Sequence, residues 1–263
     1  MTASVRRLQW PCFNRQAAVV WYRNYLSWAK HYKSSVAMNF GEPLTNLAAL
    51  GFGLGAYVAK MQGVPFVDFI APGLLMVTAM NAVTFDMGWE AYDRLNDSRI
   101  YHGLIAAPLT PAELVGGELL WEMSRALLYG GGFFVVLLAL GLVHSWWAIW
   151  LPVPLVAVGI LFAAPALWVA AVARTQEQLF YYYTLVITPL FLFSGVFFPL
   201  GHLPGWVATV IRLLPLYHAV AVARGLMLGH VGWALVVHMA WVAAYAVVLT
   251  ALPTGVVARR LLG

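Results

Sequence analysis

Long uncharged apolar runs recur along this chain, and they fix the solvent it folds in. A bilayer core of about 30 Å is crossed by a helix of around 20 apolar residues. Six runs reach that length, at about 43–60, 67–85, 112–142, 147–172, 179–198 and 231–257. With 62% hydrophobic and 10% charged residues and a mean hydropathy of +0.80, a water-soluble globule would expose large apolar patches, and that class is excluded. The runs are continuous, not alternating, and every backbone amide in lipid must be satisfied internally. Helices are therefore expected in place of a barrel. The reading is all-α: an integral membrane bundle of six transmembrane helices.

Charge sets the orientation. Fifteen basic residues stand against ten acidic ones, a net charge of +5. Residues 1–41 hold six of the basic residues and no acid, so the excess reads as a cytoplasmic arm facing headgroups, not as a nucleic-acid surface. Placing both termini in the cytoplasm puts eleven Lys and Arg on that side and three, Lys60, Arg212 and Arg224, on the other. Within the arm, Ala18, Trp21, Tyr22, Tyr25, Trp28, Ala29 and Tyr32 share one helical face and Arg23, Ser27, Lys30, His31 and Ser34 another. This pattern predicts an amphipathic interface helix with its aromatics toward lipid. Residues 199–230 are apolar but divided by Pro199, Gly201, Pro204, Gly205 and Pro215, which predicts two short external helices, outside the membrane or dipping into it.

Residues 86–111 form the one substantial cytoplasmic loop. Glu90 and Arg94 are four apart in the favourable order, with Trp89, Tyr92 and Leu95 around them, so a short amphipathic helix is expected there. Thr110, Pro111 and Glu113 make a capping-box start for the third span. On that span Glu118, Glu122, Arg125 and Tyr129 share a face. Glu122 and Arg125 are expected to pair within the membrane boundary, either steadying the bundle or serving a substrate or proton. Gly51 and Gly55 allow close helix approach, within the chain or across a dimer. Aromatics at both ends of the fifth span read as interfacial girdles. The alternative is that Tyr181, Tyr182 and Phe191, with Phe52 and Tyr57, line a pathway, which Pro189 could widen.

Other chemistries find little support. Asp86, Glu90, Asp93 and Asp97 have the spacing of a magnesium-binding membrane prenyltransferase, but beyond Glu122 the sequence offers only Glu177 for the second acidic cluster such an enzyme needs. The seven histidines lack H-E-x-x-H spacing, and Cys12 is the sole cysteine. There is no G-x-x-x-x-G-K-[ST] sequence, so the chain cannot itself cradle ATP, and no cofactor is expected in it. A membrane-embedded enzyme and a non-transporting assembly factor remain as alternatives to a transporter driven by a second polypeptide.

Three stretches carry a family resemblance: GEPLTNLAALGFGLG (41–55), APLTPAELVGGELLW (107–121) and SGVFFPLGHLPGWVATVIRLLPLYHAVAVARGLMLG (194–229). Together with the arm, they resemble the membrane subunits of type 2 ABC exporters over nearly the whole chain. The chain looks most like the permeases that export nodulation lipo-oligosaccharides. The resemblance implies a homodimer in the bacterial inner membrane with two cytoplasmic ATPases, which bind the ATP and Mg. It also implies a coupling helix at 89–101, with Trp89, Glu90, Tyr92, Asp93, Arg94 and Arg99 as contacts, and a substrate path among the first, second and fifth helices. On this basis Arg94→Glu is expected to lower ATPase stimulation while the chain still inserts.

Overall fold

The computed structural model describes residues 10–58, 60–199 and 204–262. The described chain is helical except for loops and one minimal hairpin. Helix α1 (Arg15–Asn46) is capped by Asn14, whose Oδ1 accepts from the backbone N–H groups of Gln16 and Ala17 at 3.0 and 3.1 Å. The arm and the first span, expected as separate pieces, share this one helix. It bends at His31 (φ −122°, ψ 17°), passes Pro43, and continues through wide turns at Leu47–Gly53 and a tight final turn at Leu54–Ala56. A proline inside a helix leaves one carbonyl without its donor, and wide turns nearby are a common accommodation.

Strands β1 (Lys60–Met61) and β2 (Val64–Pro65) pair antiparallel around Gln62 and Gly63, both at positive φ, as a two-residue hairpin turn requires. Helix α2 (Phe66–Phe85) follows. Its helical path persists through wide turns at Asp86–Glu90 and Asp93–Asp97 and stops where Arg99 turns left-handed (φ 52°). The first half of the expected 86–111 loop is thus a prolongation of α2. The separate short helix, α3, covers Ile100–Ile105, not 89–101. Helix α4 (Pro111–Ala139) opens with the expected capping box: Thr110 Oγ1 accepts from Glu113 N, and Glu113 Oε2 accepts from Thr110 N at 2.8 Å.

Beyond a short turn at Trp146–Trp150 come α5 (Pro152–Val172), α6 (Gln176–Tyr182), a wide turn at Tyr183–Ile187 and α7 (Thr188–Phe193). Pro189 lies two residues past that wide turn, and Thr188 Oγ1 donates to Tyr183 O at 3.2 Å. Then come α8 (Gly205–Arg212), α9 (Pro215–Leu228) and α10 (Trp233–Leu262). Four helices are individually long and apolar enough to cross a membrane: α2 with its prolongation, α4, α5 and α10. The α8–α9 pair, bent by 83°, passes only as a unit.

Helix α2 is the axis of the bundle. The rest of the chain covers 89% of its most apolar stretch, against 22% for α10, whose outer face is left to lipid. Helix α9 is not an external surface helix, because Leu216, Ala219, Val220, Ala223 and Met227 are buried. At its start Tyr245 Oη donates to Leu213 O at 2.6 Å, twelve residues or about 18 Å along α10 from Trp233. At its far end His144 N donates to Met227 O at 3.0 Å, near the hairpin. The elbow therefore dips into the bundle and climbs back out.

The first part of α1 lies along α4, which splits the expected lipid-facing stripe. Trp21 and Trp28 turn inward against Trp121, while Tyr22, Tyr25 and Tyr32 stay uncovered. Glycines allow this approach. A Cβ on Gly117 would stand 2.5 Å from Val20 Cβ and 2.6 Å from Ala17 O, and one on Gly116 would stand 2.1 Å from Cys12 O. Gly51 is buried against Val67 and Leu47, so its seam in this structure lies within the chain. Gly117→Leu is expected to force α1 off α4 at a cost of about 1–3 kcal/mol or more. Gly131→Ala, where a Cβ would meet nothing within 4 Å, should leave the melting temperature of the purified protein unchanged or slightly raised.

Candidate functional site

Three helices meet around one carboxylate. Glu118, on α4, is fully buried. Its Oε1 accepts from Arg23 Nη2 at 3.2 Å, and its Oε2 accepts from Asn24 Nδ2 at 2.9 Å and Arg94 Nη1 at 3.0 Å. Arg94 also pairs with Glu90 one turn back. Two turns further along α4, Arg125 Nη1 lies 2.6 Å from Asp86 Oδ1, and Arg125 Nη2 donates to Ala82 O at 3.3 Å. The expected Glu122–Arg125 pair forms at 3.7 Å, longer than a hydrogen bond, so Asp86 is the closer partner of Arg125. Both Glu122 oxygens are buried and accept no hydrogen bond among the described residues.

The network extends along the α1–α4 seam. Trp28 Nε1 donates to Tyr129 Oη at 2.9 Å, Tyr129 and Ser35 share a hydrogen bond, Trp21 Nε1 donates to Ser124 Oγ at 2.9 Å, and Asn14 Nδ2 donates to Glu113 Oε1 at 2.6 Å. At the end that holds α3, Tyr92 Oη donates to Arg174 O at 2.9 Å, and Arg260 reaches Asn96 Oδ1 at 2.6 Å and Ala171 O at 3.0 Å. The prolongation of α2 is thereby tied to α5 and α10 as well.

Beside the network lies a cavity of about 390 Å³. His31, Ser35, Asn39 and Glu42 of α1 face Asn81 of α2 across it, Phe85, Trp89 and Tyr183 form an aromatic wall, and Asp86, Glu90 and Arg125 complete its lining. Phe85 and Trp89 stack with ring centroids 4.4 Å apart, and Phe180 meets Trp89 edge-on at 5.1 Å. Cavity and ion-pair network thus share three charged residues.

The six coupling candidates separate in this setting. Asp93 and Arg99 are uncovered, Glu90 is uncovered but held by Arg94, Trp89 lines the cavity, and Tyr92 and Arg94 are buried. Arg94, with 8% of its side chain exposed, is turned onto Glu118 and not outward. Uncovered beside Arg99 are Ile100, His102 and Ala106 to Pro108, around a buried Tyr101 that anchors α3. None of the five pathway candidates lines the cavity. Phe52, Tyr57 and Tyr181 are uncovered, Tyr182 is half-buried, and Phe191 packs on Phe197. Their neighbour Tyr183 lines it instead. Reading missed Asn39, Glu42 and Asn81, whose only signal was polarity within or beside apolar runs.

A helical membrane bundle with a buried charge network and a partly polar cavity beside it fits a membrane transport subunit. The ABC-2 type transporter family model matches residues 15–228, and the chain belongs to that family. It is a multi-pass membrane subunit of an ABC transporter, a transport permease, and membership of that family implies an ATPase partner. The chain is 38% identical over 248 residues to Nodulation protein J of Rhizobium meliloti (strain 1021), covering 92% of this chain and 93% of that one. It is 36% identical to Nodulation protein J of Sinorhizobium fredii (strain NBRC 101917 / NGR234) over 92% and 93%. The inner membrane transport permease YadH of Escherichia coli (strain K12) is 25% identical over 67% and 68%.

Removing Glu118 as Ala would strand Arg94 in the interior, and a loss of about 3–5 kcal/mol in unfolding stability is expected. Glu118→Leu combined with Arg94→Met should recover part of that loss. Arg94→Glu, which sets a carboxylate against Glu118, should reduce the yield of folded protein in size-exclusion profiles, while Glu122→Gln shifts the melting temperature less.

Proposed function

We propose that the chain is the permease of an ATP-driven exporter that moves an amphipathic glycan-bearing molecule, a lipo-oligosaccharide or lipid-linked glycan, across the bacterial inner membrane. The cavity that shares its wall with the charge network carries this reading. Amide, hydroxyl and carboxylate groups on one side suit sugar hydroxyls, and the ring faces of Trp89, Phe85 and Tyr183 suit stacking on a sugar or contact with an acyl chain. The resemblance to permeases that export nodulation lipo-oligosaccharides implies the same substrate class.

In this reading α1 beyond His31 and the stretch from Gln176 to Phe193 are the first and fifth crossings. The total is then six, with both termini in the cytoplasm. Two copies stand side by side, each docked at α3 by one of two ATPase subunits that bind ATP and Mg. Closure of the ATPases pushes on α3 and the tip of α2. Arg94 and Glu118 pass that push to α1 and α4, and the cavity changes shape.

Proteoliposomes holding this chain and its ATPase provide the test. Labelled lipo-oligosaccharide should cross only with ATP and both subunits present, and ATP-independent movement or none would overturn the reading. Asn39→Leu with Asn81→Leu should cut transport about tenfold while melting is kept, as expected for lost polar contacts to a substrate. Arg99→Glu, on the uncovered rim of α3, should lower substrate-stimulated ATP hydrolysis several-fold without affecting assembly of the isolated chain.

A further inference from the structure

At the opposite end of the bundle from α3 lies a second cavity, of about 320 Å³, closed by the hairpin, the first turn of α2, the turn after α7, and α9 and α10. Its chemistry is cationic. Arg224, His230 and His238 line it, with Tyr217 and Gln62, and no Asp or Glu does. All ten acidic residues are described, and none lies within 4 Å of Arg224; the nearby Asp68 faces His144 at 3.2 Å.

Arg224 is held in a fixed pose. Its Nε and Nη2 donate to Phe69 O at 3.2 and 3.0 Å, Nη2 also donates to Gly195 O at 2.9 Å, and the guanidinium lies 3.9 Å from the Phe69 ring centroid. Nη1 makes no hydrogen bond among the described residues, so a positioned cation keeps donors to spare. His238 is aligned too. His218 Nε2 lies 2.8 Å from Arg212 O, a carbonyl that only accepts, so His218 carries its proton there. His218 Nδ1 then accepts from His238 Nδ1 at 2.8 Å, which leaves His238 Nε2 a lone pair on the neutral ring and a donor once the ring is protonated. Gln62, in the hairpin turn, also lines the cavity.

We propose that this cavity is an anion site that takes one phosphoryl group, with Arg224 as the fixed cation, His230 and Gln62 as further donors, and His238 Nε2 joining them when its ring takes up a proton with the anion. The group can arrive on a lipid headgroup or as free phosphate, and both present the same oxygens.

The test uses the full purified chain in phosphatidylcholine nanodiscs, titrated in one arm with short-chain phosphatidylglycerol and in the other with inorganic phosphate, with binding read by native mass spectrometry. Wild type should hold one anion per chain. A His230→Gln/His238→Gln variant, which leaves the Arg224 contacts intact, should bind roughly tenfold more weakly at an unchanged melting temperature. Arg224→Lys, which keeps the charge but not the fork, should weaken binding as well. Binding of the lipid with little binding of phosphate assigns the headgroup as the source, and the reverse assigns the soluble anion. Equal binding by wild type and the histidine variant, or no binding of either probe by folded wild type, overturns the proposal.

Discussion

An ionised carboxylate away from water is stable only where donors replace its hydration. Glu118 meets that demand with Arg23, Asn24 and Arg94, drawn from two other helices. The geometry of this half of the molecule follows. The arm cannot lie free in the interface without giving up Asn24, and α2 cannot end at the membrane boundary without giving up Arg94. Gly116 and Gly117 stand immediately before Glu118 because the donors reach it only if α1 comes close. The capping box at Thr110 and the Asn14 contact to Glu113 fix the register of the two helices at the same end.

The same bonds convert a set of lipid-embedded helices into a block. Ion pairs between α1, α2 and α4, and the links from Tyr92 and Asn96 to α5 and α10, leave the α3 end stiff, whereas the stretch from Gln176 to Phe193 and the α8–α9 elbow are interrupted helices with few polar ties to it. The cavity lies where the block meets Tyr183, on the looser side.

How much of this was legible in the sequence depended on range. Four of the six apolar runs, the capping box at Thr110 and the shared face of Glu118, Glu122, Arg125 and Tyr129 are local patterns that the fold keeps, the four runs as single membrane-length helices. The direction in which Arg94 points is not local. An exposed Glu90–Arg94 pair and a buried one have the same spacing, and the buried state is chosen by Glu118, 24 residues away. The aromatic stripe of the arm failed for the same reason, since amphipathicity cannot tell lipid from Trp121. The substrate path was sought among ring-rich segments, but the cavity wall recruits single polar residues, Asn39 and Asn81, that carry no periodicity.

The α1–α4 seam also bears on biogenesis. Asn24 leaves the ribosome 94 residues before the carboxylate it must bond. Until α4 is threaded, the nascent N-terminal segment has only headgroups to satisfy Arg23 and Asn24, and its tryptophans have only the bilayer surface. The amphipathic character of the segment thus suits the membrane surface as well as the seam it finally fills.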